Sequence, residues 1–289
     1  MFHDLNEKTL LLLITIGNSC YLCIVNQPEN RYKMIETRKL VLLSNDDSVA
    51  APGLHRLVDC LPQDVDIIVV APETPQSGKS SAITVNGPLR IKSYPDYGRA
   101  RVFSVSGTPV DCIKVAMHTI VPRKPDLILS GINHGSNSGC NVVYSGTMGA
   151  VIEGCTIGIP SCGFSLLHHS WEAEFGPGMP FISKMIENLL ADGLPDGVCL
   201  NVNIPARVDP LGVRVCRGAR SYWTDEYQRY TDPTGNPFFM LTGKFVNCEP
   251  DAKDTDEYWL AQKYISAVPV LADPSALAPL EFLAARFNR

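Results

Sequence analysis

The chain has 289 residues and a formal net charge of −5 at pH 7, a length that suits one large domain with an appendage. Because no basic stripe accompanies this acidic balance, the composition argues against docking on a nucleic-acid polymer or an anionic membrane. The ten cysteines are scattered along the chain, and Cys20 and Cys23 have no second pair at zinc-site spacing. Small buried thiols in a reducing, cytoplasmic compartment are therefore expected.

Residues 1–37 are expected to be an appendage or to reflect a mis-assigned start. Leu10–Ile16 is an apolar run that is shorter than the roughly 20 residues needed to span a bilayer. It is flanked by Asp4 and Glu7, so it lacks the positive flank of a signal peptide. Met34 lies just before the first predicted strand and is a sensible alternative start.

The first predicted core strand leads directly into two adjacent acids. Lys39–Ser44 is a short apolar strand, and Asp46 and Asp47 follow it before a predicted helix. In parallel α/β sheets, ligands bind beyond the carboxyl ends of strands. The two acids, with Asn45 and Ser48 beside them, can therefore hold a hard divalent cation. A polar turn that caps the next helix explains the same residues equally simply.

Apolar runs predict further strands, and apolar residues spaced three and four apart predict helices between several of them. The predicted strands are Asp66–Ala71, Ala82–Val85, Leu89–Ser93, Arg101–Ser106, Asp126–Ile132, Ile159–Ser165 and Val198–Ile204. The turn pair Asn86-Gly87 favours a hairpin between the second and third of these. Thr108, Pro109 and Asp111 match a capping box with Asp in place of Glu. Strand–helix–strand order makes a right-handed βαβ unit the default.

Oxygen-bearing side chains recur in the loops that follow these strands. One loop carries Ser77, and Asn133 follows Asp126–Ile132. A further helix is predicted to begin near Thr147 with Ser145 or Thr147 as its cap, and a helix N-terminus suits a phosphate. Together these loops would form a site for a cation and a phosphate at one edge of the sheet. His134 is expected to be a solvated loop residue, with proton transfer as the alternative.

The C-terminal part of the chain has a different character. Of the 23 aromatic residues, ten fall between Tyr222 and Tyr264, where helical periodicity is absent and turn signals recur. The pattern predicts an aromatic, hairpin-like arm, and aromatic residues concentrate in protein interfaces. A small β-rich lobe packed on its own chain is the alternative.

Six ordered segments resemble the SurE family of metal-dependent 5′/3′-nucleotidases. They are NDD, APETPQSG, SGTPVDC, SGINHGSN, YSGTMGAVIEG and LNVNIP. The resemblance covers Lys39–Pro205 and continues more loosely through Tyr264–Leu271. It implies a Rossmann-like, mainly parallel α/β catalytic domain over residues 38–205, with helices on both faces. Residues 206–289 would be a C-terminal extension that completes the fold and forms a homodimer or homotetramer.

The resemblance also implies one divalent cation per subunit, Mg²⁺ or Mn²⁺. Its ligands would be Asp46, Asp47, Ser77 and Asn133, with the two acids as the catalytic residues. This ligand set is hard oxygen throughout, which favours Mg²⁺ or Mn²⁺ over Zn²⁺. The candidate phosphate contacts are Asn45, Gly78, Ser145, Gly146 and Thr147.

The expected activity is hydrolysis of nucleoside 5′-monophosphates, and possible substrates include the 3′-monophosphates. Water activated by the metal would attack phosphorus directly, because the sequence has no Cys-x5-Arg pattern and no clear Asp nucleophile. One alternative is a nucleotide- or phosphate-binding module without turnover, since the family usually has Gly where this chain has Ser48 and commonly has His where it has Tyr144. A dinucleotide-dependent oxidoreductase is disfavoured, because no G-x-G-x-x-G follows the first strand.

Overall fold

The computed structural model describes residues 9–16, 19–26, 38–275 and 280–287. The chain divides into two units, residues 1–38 and 39–289. In the first, Thr9–Ile16 (β1) and Ser19–Asn26 (β2) pair as antiparallel strands. Met34 lies outside the described residues, so the alternative start stays a prediction. None of the helices in the described ranges is long and apolar enough to cross a bilayer.

The second unit alternates strands and helices as far as β9 and is richer in strands after it. Its strands are β3 Leu40–Ser44, β4 Asp66–Pro72, β5 Ile91–Tyr97, β6 Ala100–Val105, β7 Leu127–His134, β8 Ser161–Leu166, β9 Val198–Ile204, β10 Val213–Val215, β11 Ser221–Thr224, β12 Tyr227–Thr231, β13 Pro237–Leu241, β14 Lys244–Asn247 and β15 Ile265–Leu271. Its helices are α1 Pro52–Asp59, α2 Pro109–Val115, α3 Gly146–Thr156, α4 Met179–Asp192, α5 Asp256–Ala261 and α6 Leu280–Phe287. A π-helical turn, Ala116–Ile120, extends α2, and Gly139–Val143 and Gly176–Gly178 are 3₁₀ turns.

Nine strands form one sheet in the order β10-β15-β9-β8-β7-β3-β4-β6-β5. The central strands β9, β8, β7, β3, β4 and β6 are parallel, while β5 and β15 run antiparallel to their neighbours β6 and β9. The chain moves from β3 to β4 and β6 on one side and then crosses to β7 on the other. The ends of β3 and β7 therefore flank a topological switch point, where open α/β sheets bind ligands.

The side chains of β3 show how the sheet is covered on both faces. Val41 and Leu43 pack in a buried cluster with residues of α1 and α4. Leu40 and Leu42 point to the other face and pack in a second cluster with residues of α2 and α3. This strict alternation is what a strand buried on both sides requires. The Rossmann-like, mainly parallel α/β sheet with helices on both faces is confirmed.

Two helix starts agree with the sequence analysis. The Thr108 side chain accepts from the Asp111 N–H at 3.1 Å, and Asp111 accepts from the Thr108 N–H at 2.9 Å, so the capping box is formed. Ser145 caps α3 by accepting a hydrogen bond from the Met148 N–H at 3.0 Å. Of the two predicted caps for α3, Ser145 is therefore the one used.

The predicted hairpin over residues 82–93 is wrong. Its turn lies in irregular structure, where the backbone N–H and hydroxyl of Thr84 donate to the Asp111 carboxylate. The real hairpin joins β5 to β6 across Gly98-Arg99, with Gly98 at a φ of +60°. The prediction of Val198–Ile204 as the last core strand was also incomplete, because β15 lies in the sheet beside it.

Residues 221–247, called the arm from here on, form two antiparallel strand pairs. In one pair β11 lies beside β14, and in the other β12 lies beside β13. All residues of β12 and β13 are exposed, whereas most of β11 and β14 is half-buried. The predicted aromatic, hairpin-like arm is thus confirmed. The absence of helix predicted between Tyr222 and Tyr264 is wrong at α5, a short helix capped by Thr255.

Candidate active site

The loop after β3 is polar but buried. Asn45, Asp46, Asp47 and Ser48 are all less than one tenth exposed. The Asn45 amide donates to the Ser48 carbonyl at 2.8 Å, and the Asp46 carbonyl accepts from the Gln76 N–H at 2.7 Å. Ser48 has a φ of +97°, in a region that residues other than glycine rarely occupy. The loop is therefore held in one strained conformation from both ends.

The N-terminus of α3 lies directly against Asp46. The Thr147 hydroxyl donates to Asp46 Oδ1 at 2.5 Å. A Cβ added to Gly146 would lie 2.8 Å from the Asp46 Cβ, so a residue with a side chain cannot replace this glycine without a shift. Because the positive end of a helix dipole stabilises a negative charge, α3 both positions the acid and favours its ionised form.

Asp47 is bound by His134, at the end of β7. The backbone N–H and the Nδ1 of His134 lie 3.0 and 2.9 Å from Asp47 Oδ2. The imidazole stacks on Trp171 at 5.4 Å between ring centroids and meets Phe175 edge-on at 5.4 Å. The His134 side chain is only 4% exposed, so the expectation of a solvated loop histidine is wrong. His134 instead fixes the orientation of Asp47.

One cavity of about 460 Å³ lies at the switch point. Of the predicted site residues, it is lined by Asp46, Ser77, Gly78, Asn133 and Ser145. The amide nitrogen of Asn133 donates to the Gly135 carbonyl at 2.9 Å. The structure thus brings together residues from the loops after β3 and β4, from the end of β7 and from the cap of α3.

Four predicted site residues do not line this cavity. Asn45 and Thr147 are fully buried and bonded within the protein, Gly146 packs on Asp46, and Asp47 faces His134. Their positions place them immediately beside the cavity-lining residues, where they support the loop and the helix end. The side-chain nitrogen of Asn45 is used within the loop, on the Ser48 carbonyl.

The charge balance of the site fits a cation. Burial, together with the neighbouring charge of Asp47, raises the pKa of Asp46 from 3.8 to about 6, against the opposing hydrogen bonds from Thr147. Within residues 38–275, neither acid forms an ion pair with Lys or Arg. Two buried acids beside neutral oxygen ligands are the donor set of a hard divalent cation. The described residues contain no group of three His, Cys, Asp or Glu side chains that could hold a metal ion.

Sequence reasoning missed the aromatic side of the cavity. Trp223 and Phe245 of the arm, Asn141 and Glu257 also line it. The Trp223 Nε1–H donates to Asn141 Oδ1 at 2.8 Å, and the two aromatic rings meet edge-on at 5.8 Å. The concentration of aromatic residues was the available signal, but it was assigned to an interface rather than to the site.

Asp256 connects the arm to the loop that follows β7. Its carboxylate accepts from the Gly139 and Ala219 N–H groups, each at 2.8 Å. The Ser221 hydroxyl accepts from the Cys140 N–H at 2.8 Å. Because these partners lie 37 to 117 residues apart, the arm side of the cavity is fixed by long-range hydrogen bonds rather than by local sequence.

An oxygen-lined cavity at a switch point, with two buried acids and a helix N-terminus aimed at one of them, is typical of a ligand-binding α/β protein whose site suits a cation and an anion together. Residues 41–225 match the family model described as survival protein SurE. The chain therefore belongs to the SurE family.

Individual relatives agree with this assignment over most of the chain. It is 46% identical to "5′-nucleotidase SurE" of Phocaeicola vulgatus and 47% identical to the protein of the same name from Christiangramia forsetii. Each match covers 84% of this chain and 95% of the relative. The crystal structure of the SurE protein from Aquifex aeolicus superposes with a TM-score of 0.74 at 30% identity, covering 85% of this chain and 98% of that one.

Proposed function

We propose that this chain is a 5′-nucleotidase that hydrolyses nucleoside 5′-monophosphates to nucleoside and phosphate. The observation that carries the proposal is the meeting of Asp46, Ser77 and Asn133 in one cavity beside the buried Asp47. The names of the relatives support the same activity. They give no support to a binding module without turnover or to a dinucleotide-dependent oxidoreductase.

The proposed cofactor is one divalent cation per subunit, Mg²⁺ or Mn²⁺, held by Asp46, Asp47, Ser77 and Asn133. When bound, such a cation polarises a phosphoryl oxygen and lowers the pKa of water. The Asn133 nitrogen is used on Gly135, so its amide oxygen is the proposed ligand atom. Thr147 and His134 hold the two acids in place, as residues next to metal ligands commonly do.

The two acids have different proposed roles. Asp46 lines the cavity, so it is the acid that can accept the proton of the attacking water. Both hydrogen bonds from His134 end on Asp47 Oδ2, which suits a fixed ligand better than a proton acceptor. Direct attack of water on phosphorus needs no covalent intermediate, and the proposal includes none.

The phosphate is proposed to lie between the loop after β4 and the start of α3. Gly78 and Ser145 line the cavity there, and the first N–H groups of α3, at Gly146 and Thr147, have no partner within the helix, which suits an anion. The Asn45 amide nitrogen and the Thr147 hydroxyl are bonded elsewhere. They are therefore assigned supporting roles in place of the direct contact that the sequence suggested.

The wider organisation of the protein is part of the same proposal. Residues 38–205 form the catalytic domain, and residues 206–289 complete the fold and join subunits into a homodimer or homotetramer through the arm. The exposed apolar strand β13, beside the exposed Tyr227 and Tyr230 of β12, supports that role, because contiguous apolar patches mark interaction surfaces. Eight free cysteines among the described residues support a reducing, cytoplasmic location.

A nucleotide panel tests the activity. The purified protein is assayed for phosphate release from 5′- and 3′-nucleoside monophosphates, with Mg²⁺ or Mn²⁺ and then with EDTA. We expect turnover of the 5′-monophosphates that EDTA abolishes and added metal restores. Nucleotide binding without turnover under every metal condition would instead support the binding module and overturn the proposal.

A further inference from the structure

The cavity has two walls of different chemistry. One wall carries the oxygen-bearing residues Asp46, Ser77, Asn133 and Ser145, and the arm supplies Trp223 and Phe245 to the other. The volume of about 460 Å³ lies within the range of roughly 300–1,000 Å³ that is typical of small-molecule sites. A molecule that combines a phosphate with a flat apolar ring matches this division.

The aromatic wall is held rigidly. Trp223 and Phe245 are directly opposite each other in the β11–β14 pair, and the Trp223 Nε1–H is satisfied by Asn141. A Cβ added to Gly243 would lie 3.0 Å from Cε3 of Trp223, so the glycine allows the indole to approach the backbone closely. With its polar atom bonded inside the protein, the indole contributes an apolar ring surface to the cavity.

We propose that Trp223, supported by Phe245, is the platform on which the base of a nucleoside monophosphate stacks. This inference rests on the proposed 5′-nucleotidase function and adds the residues that select nucleotides over smaller phosphoesters. Stacking on an aromatic side chain tolerates all bases, because each base has a π-face. The arm therefore selects for the presence of a base rather than for its identity.

Two substrates separate base recognition from phosphate chemistry. Adenosine 5′-monophosphate carries the base, and ribose 5-phosphate presents the same phosphoester without it. In Trp223→Ala, kcat/KM for the nucleotide should fall about 10- to 100-fold, as expected for loss of one base–aromatic stack. The value for ribose 5-phosphate should change less than about twofold, because the phosphate contacts lie on the other wall.

Two further variants test the reason for the loss. Trp223→Phe keeps an aromatic ring and should retain most of the nucleotide activity, although it lacks the hydrogen bond to Asn141. Tyr222→Ala is the matched control, because Tyr222 is the preceding residue of the same strand, is 53% exposed and points to the opposite face. This variant should leave kcat/KM unchanged for both substrates.

Inhibition by adenosine completes the test, because it reports binding of the base without hydrolysis of a nucleotide. Adenosine should inhibit hydrolysis of ribose 5-phosphate by the wild-type protein and should lose this effect in Trp223→Ala. Equal losses of kcat/KM for both substrates in Trp223→Ala would show a purely structural role for Trp223. Unchanged values of kcat/KM would show that the base does not contact Trp223. Either result would overturn the proposal that the base stacks on Trp223. Failure of the wild type to hydrolyse adenosine 5′-monophosphate would instead refute the proposed function itself.

Discussion

Two regions contribute to the same cavity but are constructed in opposite ways. One is the arm, and the other, called the rim, comprises the ends of β3, β4 and β7 with the start of α3. At the rim, polar residues such as Asp46 and Asn133 are buried and bonded to the protein. In the arm, apolar residues such as Phe239 and Leu241 are 60% and 70% exposed. The rim thus fixes a reactive geometry, which requires preorganised groups. The arm offers exposed apolar surface, which suits recognition and assembly.

The largest expected effect comes from the rim. Replacing Asp46 by Asn keeps the shape of the side chain but removes the charge assigned to the cation and to proton transfer. We expect kcat to fall on the order of 10³-fold, comparable to losses of single groups that stabilise charge in transition states. Phosphate release from a nucleoside 5′-monophosphate measures kcat. The control is Asp225→Asn, which changes an exposed residue of the arm in the same way. A rate near that of the wild type in Asp46→Asn would contradict the assignment.

The next-largest effect is expected from Thr147, which acts through Asp46. Thr147→Val removes the hydroxyl that donates to Asp46 while keeping the β-branched shape. We expect metal affinity to weaken about 10- to 100-fold, as is typical when a group that orients a metal ligand is lost. Titration of Mn²⁺ into the metal-free protein measures this affinity. Thr156→Val, at the far end of the same helix, is the control, and an equal loss in both variants would disprove a specific role.

The rim should also reduce the stability of the metal-free protein at neutral pH. The pKa of Asp46 is raised from 3.8 to about 6 in the folded state, so the folded protein binds this proton more tightly than the unfolded chain does. The folded state therefore loses stability as the pH rises from about 3.8 to about 6 and does not regain it above that range.

The Asp46→Asn variant tests directly whether the charge on Asp46 lowers the stability of the metal-free protein. In EDTA at pH 8, its free energy of unfolding should exceed that of the wild type by on the order of 3 kcal/mol. The gap should narrow below pH 6, where Asp46 in the wild type binds its proton. Denaturant titration at several pH values gives the result, and a less stable variant at pH 8 would refute the argument.

The smallest effect on activity is expected from the exposed side of the arm. Phe239→Lys places a charge in the apolar surface of β13, where Phe238, Met240 and Leu241 are also exposed. Light scattering should show a smaller assembly than that of the wild type, because burying an unpaired charge opposes association. Activity per chain should change less than about twofold, because Phe239 does not line the cavity. An unchanged assembly would remove the arm from the proposed interface.

The sequence predicts the rim far better than it predicts the arm, and the reason is physical. Strands such as Leu40–Ser44 and Asp66–Pro72 contain continuous apolar runs, because both of their faces are buried. Local signals also identified the capping box at Thr108 and the cap at Ser145. The loops that follow these strands could therefore be placed at one edge of the sheet, where Asp46, Ser77 and Asn133 line one cavity.

Long-range contacts explain what the sequence did not predict. The hairpin signal at Asn86-Gly87 is overridden, because the Asp111 carboxylate binds Thr84 from a distant helix start. The strand Ile265–Leu271 joins the sheet by pairing with β9 on one side and with β10 on the other. Trp223 reaches the cavity because Asn141, 82 residues earlier, accepts its N–H. Such pairings have no signature in a local window of sequence.

The central claim is that four oxygen-bearing side chains hold one divalent cation at the rim. A crystal structure of the protein grown with Mn²⁺ tests it most directly, through the anomalous scattering of the metal. The account predicts one strong anomalous peak per chain, in contact with oxygens of Asp46, Asp47, Ser77 and Asn133. A peak bound elsewhere, or a fully active protein whose bound Mn²⁺ does not touch Asp46, would contradict it.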